Sequence, residues 1–251
     1  MDKYISKKNV MTYPRVSFIV PSTNIAVETV LEIIQSKNKF MDVNITRVEV
    51  TEISHSQANV RQFSTQSFTN PAKFAAAVKP DLIVWAGTSG SWLGYDYEEL
   101  LLNHIENTTG IKAIGCYTEI CKACEENSIR NIGLLTPYDI DIHSRIKDNL
   151  KKMGISSGSE KWYGITDNYS FAKIPIDKIV SDMVNLKSAT STALIPMCTN
   201  MLTALVSDEI ENYTDLTVID PNIVIIRRIK NIFNISVMLK NFGRILSDYS
   251  G

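Results

Sequence analysis

A cysteine directly after an apolar run is the residue of this sequence best placed to do chemistry. Cys198 follows Ala193-Leu-Ile-Pro-Met197, and Thr199 and Asn200 lead from it into a predicted helix at 201–212. In α/β proteins ligands bind at the carboxyl ends of strands, where the following helix offers free N–H groups. A thiol there is expected to have a lowered pKa and to act as base, acid or nucleophile. We predict that Cys198 is catalytic; the alternative is a buried structural cysteine.

The order of such motifs repeats along the chain. Phe18-Ile-Val-Pro21 is followed by Trp85-Ala-Gly87, as Leu134-Leu-Thr-Pro137 is followed at a similar separation by Pro196-Met-Cys198. Strands alternate with helices throughout, which is typical of parallel sheets. We predict an α/β fold of two pseudo-symmetric Rossmann-like halves. Each half has a four-stranded parallel sheet flanked by helices, and the active site lies in the cleft between the halves. Chance similarity of short motifs is the alternative.

The boundary between the halves is predicted after residue 116. Residues 1–116 form the first half and 117–221 the second, and the helical segment 222–251 could pack back on the first half. Segment 51–70 is polar with few apolar anchors. It is predicted to be a loop able to cover the site.

Composition limits the classes of function. The 251 residues are 44% apolar and carry a net charge of −1, so a sizeable core is expected, and neither nucleic acid nor an anionic membrane is an expected partner. No apolar run approaches the roughly 20 residues of a membrane span, and no apolar stretch follows the basic N-terminus as in a secretory signal. The four cysteines are expected to be reduced thiols in the cytoplasm. A homo-oligomer is left open.

The repeat places Gly87 opposite Cys198. A thiol on each face of a carbon would give two-base racemisation, whereas one thiol facing a glycine indicates that a proton is delivered on one face only. Glycine is expected to leave room for a bulkier group. Thr88 and Ser89 add hydroxyl and N–H groups suited to a carboxylate or enolate oxygen, although an ordinary helix cap is the alternative.

Four motifs together resemble the aspartate/glutamate racemase superfamily, in the branch that contains maleate cis-trans isomerase and arylmalonate decarboxylase. They are Pro21-Ser-Thr-Asn24, Gly87-Thr-Ser89, Thr136-Pro-Tyr138 and Met197-Cys-Thr199. The resemblance extends from about Arg15 to the final helices. It implies an enzyme without a cofactor or metal that acts on a small carboxylic acid.

The resemblance also assigns catalytic roles. The isomerase has one cysteine from each half, whereas the decarboxylase keeps only the second and has a Gly-Thr-Ser run in place of the first, as this sequence does. By that likeness Thr88, Ser89 and Tyr138 would bind the retained carboxylate or the enediolate. Cys198 would protonate the carbanion left by CO₂, and N–H groups near Thr199 would complete the oxyanion site.

Substrate-binding positions follow from the same resemblance. Asn24 and Asn168 match asparagines that hold a substrate carboxylate in the isomerase branch, which favours a dicarboxylate with a small polar substituent. The other predicted substrate contacts are Pro21, Gly87, Thr199 and Asn200. The sequence departs from the decarboxylase pattern after the cysteine, where Thr199-Asn200 replaces a glycine-rich run, and at Asp220-Pro-Asn222, where small polar residues are expected.

The sequence therefore predicts a cofactor-independent decarboxylase of a malonate-like acid. One alternative is an isomerase or racemase of the same superfamily, with Thr88, Ser89 or a water in place of the missing thiol. Another is an inactive relative that binds a small carboxylate as a sensor.

The remaining chemical side chains are assigned structural roles. Cys116, Cys121 and Cys124 have a spacing like that of plant-type iron–sulfur proteins, but their predicted strand and helix positions favour core packing. The histidines are expected at the surface or in loops: His55, His104 and His143. Glu98-Glu99 is predicted to lie on a solvated helix face. Trp85 and Trp92 either line an apolar pocket or pack in the core.

Overall fold

The computed structural model describes residues 13–247 and contains two parallel sheets of four strands each. The first sheet has the order β2-β1-β3-β4, with β1 (Arg15–Pro21), β2 (Asp42–Val48), β3 (Leu82–Trp85) and β4 (Ala113–Gly115). The second has the order β6-β5-β7-β8, with β5 (Asn131–Thr136), β6 (Ser156–Trp162), β7 (Ala193–Pro196) and β8 (Thr217–Val218). Because the two orders are the same, the predicted pseudo-symmetric α/β fold is confirmed. Residues 1–12 and 248–251 of the predicted halves lie outside the described residues.

Helices connect the strands on both sides of each sheet. In the first part of the chain they are α1 (Ala26–Lys37), α2 (Gln57–Arg61), α3 (Thr69–Ala76), α4 (Gly90–Leu93), α5 (Tyr95–Thr109) and α6 (Cys116–Glu126). Those that follow are α7 (Ile140–Lys152), α8 (Asn168–Phe171), α9 (Ile176–Asn185), α10 (Ser207–Thr214), α11 (Pro221–Ile232) and α12 (Arg244–Ser247). Two 3₁₀ turns lie at Thr65–Phe68 and Leu202–Val206. No helix between residues 13 and 247 has the length and apolar content that a membrane span requires.

The sequence of each strand reflects its place in the sheet. All four residues of β3 and all four of β7 are buried, because central strands of a parallel sheet are covered by helices on both faces. The edge strand β6 is exposed or half-buried along its length. The apolar runs that end at the chemical motifs therefore belong to the most deeply buried part of each sheet.

The segments that follow the equivalent strands β3 and β7 each pack on a helix of the other half. Helix α4, which follows β3, packs on α7 of the other half, and the 3₁₀ turn Leu202–Val206, which follows β7, packs on α1. Helices α6 and α11 pack against each other, and α12 packs on α11 and β8. The carboxyl ends of β1, β3, β5 and β7 thus face a shared cleft.

Segment 51–70 differs from the predicted polar loop. It contains α2 and a 3₁₀ turn, and it buries Ile53, Phe63 and Phe68. Its backbone is tied to the other half, since Ile53 N donates to Thr166 O at 2.9 Å and Asn168 N donates to Thr51 O at 3.0 Å. A few well-placed apolar residues are enough to fix a segment whose composition is polar.

Two side chains expected at the surface are buried. His143 is 1% exposed because it shares the buried face of α7 with Ile142 and Ile146, and its ring nitrogens bond Thr136 Oγ1 at 2.9 Å and Glu160 Oε2 at 3.0 Å. The prediction for His143 was therefore wrong. His55 is exposed, and His104 is half-buried in α5 beside Thr69.

Glu98 was expected on a solvated face but has no exposed surface. It lies on the buried stripe of α5, where Leu101 and Ile105 follow it. Gly90 and Gly115 make the space for its carboxylate, because a Cβ at either glycine would lie 2.4 Å from a Glu98 oxygen.

Candidate active site

A small cavity lies at the carboxyl ends of the central strands, between the two halves. Its polar wall is formed by Thr88, Ser89, Tyr138, Asn168, Cys198 and Thr199. The rest of its lining is Pro21, Ile53, Phe63, Trp85, Gly87 and Trp92. No charged side chain is among the described residues that line it. The site can therefore spread negative charge over neutral donors without forming an ion pair.

Cys198 lies just beyond β7 and is 2% exposed. Burial raises the pKa of its thiol to about 12, and the negative charge of Asp220 raises it further, against the effect of hydrogen bonds from Tyr138 and the Asn200 N–H. The predicted lowering of this pKa was wrong. The chain after Cys198 forms a 3₁₀ turn and α10 begins only at Ser207. Burial outweighs the backbone N–H groups of Asn200, 3.3 Å from the sulfur, and Met201. The group facing the cavity is thus a protonated thiol.

The hydroxyls of Thr88 and Tyr138 meet across the two halves. Thr88 Oγ1 and Tyr138 OH are 3.0 Å apart, and both side chains are 4% exposed. Burial raises the pKa of Tyr138 well above its usual value, so the phenol keeps its proton and can donate it in a hydrogen bond. Tyr138 also contacts the Phe171 ring edge-to-face at 5.3 Å, which fixes its orientation. These hydroxyls, with Ser89, form a compact set of neutral donors beside Cys198.

The space beside Gly87 is occupied, contrary to the prediction that the glycine leaves room for a bulkier group. A Cβ built on Gly87 would lie 2.3 to 2.7 Å from three atoms of the Trp85 indole. The indole N–H donates to Ser89 Oγ at 3.3 Å. Gly87 is therefore required by the close approach of its neighbour's ring.

Four predicted substrate ligands form a hydrogen-bond network between the halves. Asn24 Nδ2 donates to Thr199 Oγ1 at 3.0 Å, and Asn168 Nδ2 donates to Thr23 Oγ1 at 2.8 Å. Asn200 accepts from the N–H groups of Ile25 and Ala26 at 3.0 and 3.2 Å, so it caps α1 from the opposite half. Asn24 and Asn200 do not line the cavity, whereas Asn168 and Thr199 do.

A family model described as arylmalonate decarboxylase matches residues 24–230. The chain belongs to the arylmalonate decarboxylase family. A comparison with curated proteins gives no significant match. Membership of this family makes the chain an enzyme of the lyase or isomerase type.

Solved structures of both kinds of enzyme share the fold. Maleate isomerase Iso from Pseudomonas putida is 16% identical and superposes with a TM-score of 0.86, covering 94% of this chain and 99% of its own. A mutant of Nocardia farcinica maleate cis-trans isomerase with a covalently bound succinylcysteine intermediate is 16% identical, with a TM-score of 0.85 and coverage of 94% and 98%. Unliganded arylmalonate decarboxylase is 15% identical, with a TM-score of 0.75 and coverage of 94% and 99%.

Two features of this arylmalonate decarboxylase family site escaped the sequence analysis. Ile53 and Phe63 line the cavity from the segment predicted to be polar, and Phe63 contacts the ring of Trp92 edge-to-face at 5.1 Å. Isolated apolar residues in a polar stretch after a strand were the available signal. Trp92 and Trp85, for which either a pocket or a core position was predicted, both line the cavity and are nearly fully buried.

The second feature that escaped the sequence analysis is a pair of buried carboxylates. Glu98 Oε1 accepts from Thr118 N at 2.8 Å near the start of α6, and Asp220 Oδ1 accepts from Asn222 N at 2.8 Å at the start of α11. Burial raises the pKa of each to about 7. Within residues 13–247, Glu98 Oε2 and Asp220 Oδ2 are buried without a hydrogen-bond partner. Asn222 also donates to Thr199 O at 3.1 Å, which joins this layer to the site.

The other cysteines do not line the cavity, although Cys116 lies behind it and its thiol donates to Trp85 O at 3.5 Å. Cys116, Cys121 and Cys124 are free thiols of α6 buried in the core, as the sequence predicts. Among the residues that the structure describes, no three His, Cys, Asp or Glu side chains are grouped to hold a metal.

Proposed function

We propose that the chain is a cofactor-independent decarboxylase of a malonate-like acid, with Cys198 as the proton donor. The observation that carries this proposal is a single protonated thiol facing a cavity with neutral donors, while the Trp85 indole fills the place where a second thiol would stand. A proton can then be delivered on one face of the substrate carbon, and no base is available on the other.

The uncharged lining of the cavity favours the loss of CO₂ from a carboxylate. The retained carboxylate accepts hydrogen bonds from Thr88, Ser89 and Tyr138, and the leaving carboxylate lies against apolar surface, where its charge is poorly solvated. The carbon–carbon bond breaks, its electron pair passes into the enediolate, and CO₂ leaves. The donors stabilise the charge that develops on the two retained oxygens. Cys198 then gives its S–H proton to the α-carbon, and solvent reprotonates the thiolate.

An isomerase is the second candidate function. Asn168 lines the cavity and could hold a second substrate carboxylate, as the sequence resemblance implies. Against it stands the raised pKa of Cys198, because attack on a double bond needs the thiolate, which is scarce at neutral pH for a thiol with a pKa of about 12.

A substrate panel in D₂O separates these functions. Mono- and disubstituted malonates, maleate and amino-acid enantiomers are incubated with the dialysed protein, with and without a chelator. We expect CO₂ release from a malonate, one deuterium at a single stereocentre of the product, and no effect of the chelator. Conversion of maleate to fumarate, or loss of optical activity in an amino acid, would replace the lyase by an isomerase. Carboxylate binding without any turnover would identify a sensor.

Tyr138→Phe should lower kcat by about 10²-fold, because it removes one donor to the enediolate while Thr88 and Ser89 remain. The ring packing on Phe171 is kept, so the fold should be unchanged. The measurement is kcat and KM for the best malonate of the panel, with Tyr213→Phe, an exposed tyrosine of α10, as the matched control. A Tyr138→Phe enzyme with wild-type kcat would remove this hydroxyl from the oxyanion site.

A further inference from the structure

We propose that Asn200 is the positioning residue of Cys198: its side chain fastens the turn that carries the sulfur to the other half of the protein, so that the S–H proton is presented to one face of the substrate. The part about the substrate face rests on the proposed function, whereas the fastening of the turn does not. Contacts of this one asparagine with the sulfur, with α1 and with α8 carry the proposal.

The sulfur of Cys198 lies inside a turn of its own chain. The backbone N–H groups of Asn200, at 3.3 Å, and of Met201 donate hydrogen bonds to Cys198 Sγ. The same N–H groups face the thiolate that is left after the proton has been given, and hydrogen bonds to a charged acceptor are the stronger kind. The position of the sulfur therefore depends on how firmly residues 198–201 are held.

The Asn200 side chain ties this turn to the first helix of the other half. Its Oδ1 accepts from the N–H groups of Ile25 and Ala26 at the start of α1, at 3.0 and 3.2 Å. Ile25 is the N-cap residue and makes no side-chain cap of its own, although Ser, Thr, Asp and Asn are the residues preferred there. Asn200 thus supplies these two N–H groups with an acceptor from the opposite half.

A second tie joins the same amide to α8. Asn200 Nδ2 donates to Asn168 O at 2.5 Å, and Asn168 is the first residue of α8 and part of the cavity wall. The Asn200 side chain is buried and does not line the cavity. Its hydrogen bonds are directed to the protein and not to a substrate, so it acts through Cys198 and does not touch the reacting atoms.

Thr199 fastens the turn at another point. Its hydroxyl donates at 3.1 Å to Ala86 O, just beyond β3 of the first half. Two fixed points hold the peptide between Cys198 and Asn200 in one orientation. Without the Asn200 side chain, the N–H groups of α1 and Asn168 O would lose a partner, and the turn could pivot about Thr199. The thiol would then reach solvent more often, and water would reach either face of the intermediate.

Alkylation of Cys198 measures this fastening without turnover. The thiol is buried and protonated, so it reacts with iodoacetamide only in molecules whose turn has opened. Wild type and Asn200→Ala are labelled under native conditions, and the modification of Cys198 and of the buried Cys124 is followed by mass spectrometry of their peptides. We expect the Cys198-to-Cys124 ratio of rates to rise about tenfold or more in Asn200→Ala, since several hydrogen bonds are lost. An equal rise at both cysteines would show only a loss of global stability and would overturn the proposal.

Asn149→Ala is the matched control. Asn149 is also buried and also donates between the halves, from Nδ2 to Ser91 O at 3.1 Å, but it has no contact with the Cys198 turn. It should leave the ratio within about twofold of wild type, because distant sites act independently. Asn200→Ser, a smaller change, is used if Asn200→Ala does not fold. It should raise the ratio in the same direction, and a wild-type ratio in folded Asn200→Ser would count equally against the proposal.

Product stereochemistry tests the consequence for catalysis. With a prochiral disubstituted malonate, the share of the minor enantiomer should rise in Asn200→Ala by about the same factor as the alkylation ratio, because water then protonates the intermediate from either face. A wild-type enantiomeric excess beside a raised alkylation ratio would overturn the part about the substrate face. A raised ratio in Asn200→Ala, with no decarboxylation by wild type, would reject the proposed function and keep Asn200 as the residue that holds the turn.

Discussion

Replacing Cys198 by alanine should lower kcat for decarboxylation by about 10²- to 10⁴-fold, the range that a positioned general acid contributes. The thiol is protonated because burial raises its pKa to about 12, and it lies at the cavity beside Thr88, Ser89 and Tyr138, the proposed donors to the enediolate. Those donors remain in the variant, so KM should change by only a few-fold. The intermediate would then wait for a proton from water, which is not held in position at the α-carbon as the thiol is.

Two variants separate the lost proton from side effects. Cys124→Ala removes an equally buried thiol of α6 that does not line the cavity, and its kcat should stay within about twofold of wild type. Cys198→Ser restores much of the side-chain volume but offers a weaker acid, so it should resemble Cys198→Ala. Single-turnover kinetics with deuterium incorporation provides the measurement. If Cys198→Ala retained more than a tenth of wild-type kcat, another group would have to be the proton donor.

The positions of the chemical groups could be predicted because they follow from local sequence and sheet geometry. Thr88, Tyr138 and Cys198 each come shortly after a central strand, and parallel strands bring their carboxyl ends to one edge. The internal repeat then places two such edges face to face. The contact between Thr88 and Tyr138 is a direct consequence of that arrangement.

Contacts between the halves could not be predicted. Asn200 caps α1 from 174 residues away, and Asn24 bonds Thr199 across a separation of 175. A single asparagine after a strand offers the same signal whether its partner is a substrate, its own backbone or another half of the protein. Which partner it meets depends on the angle between the halves, and no local pattern encodes that angle.

Burial was the second reason for wrong predictions, because a charged residue that is expected at the surface can be buried. Glu98 is charged and lies on a helix, yet its place in the stripe with Leu101 and Ile105 outweighs its polarity. The space for its carboxylate depends on two glycines in other elements, and the occupied space beside Gly87 depends likewise on the rotamer of Trp85. A glycine in a sequence therefore does not reveal whether the space beside it is empty.

Replacing Asp220 by asparagine should change the pH dependence of stability by about 4 kcal/mol between pH 4 and pH 8. Burial raises the pKa of Asp220 from 3.8 to about 7, and each unit of difference from the unfolded chain corresponds to about 1.4 kcal/mol. Between these two values the folded protein holds a proton that the unfolded chain has released. The contribution of Asp220 to stability is therefore complete below pH 4 and is lost as the pH rises through 7.

Asparagine is a close substitute that does not titrate. Its amide oxygen can accept from Asn222 N and Ile223 N as Asp220 Oδ1 does, so the cap of α11 should persist. At pH 4 the variant should match wild type within about 1 kcal/mol. At pH 8 it should be more stable than wild type by about 4 kcal/mol. Glu98→Gln should follow the same course with a difference of about 3 kcal/mol, since its pKa rises from 4.5 to about 7.

Asp167 is also a helix N-cap and serves as a control, because its contribution to stability should depend on pH with the opposite sign. It caps α8 as Asp220 caps α11, but it is exposed, and hydrogen bonds from Ser170 lower its pKa. Its contribution to stability is present above its unfolded pKa and lost as the pH falls, so Asp167→Asn should become more harmful as the pH rises. The free energy of unfolding is measured with urea for each variant and for wild type at several pH values. Subtracting the wild-type value at each pH removes the contribution of all other titrating groups. A difference between Asp220→Asn and wild type that stayed constant with pH would show that Asp220 is ionised in the folded protein. Its charge would then act on Cys198 across the whole neutral range, and the protonated state of the thiol would depend on Asp220 as well as on burial.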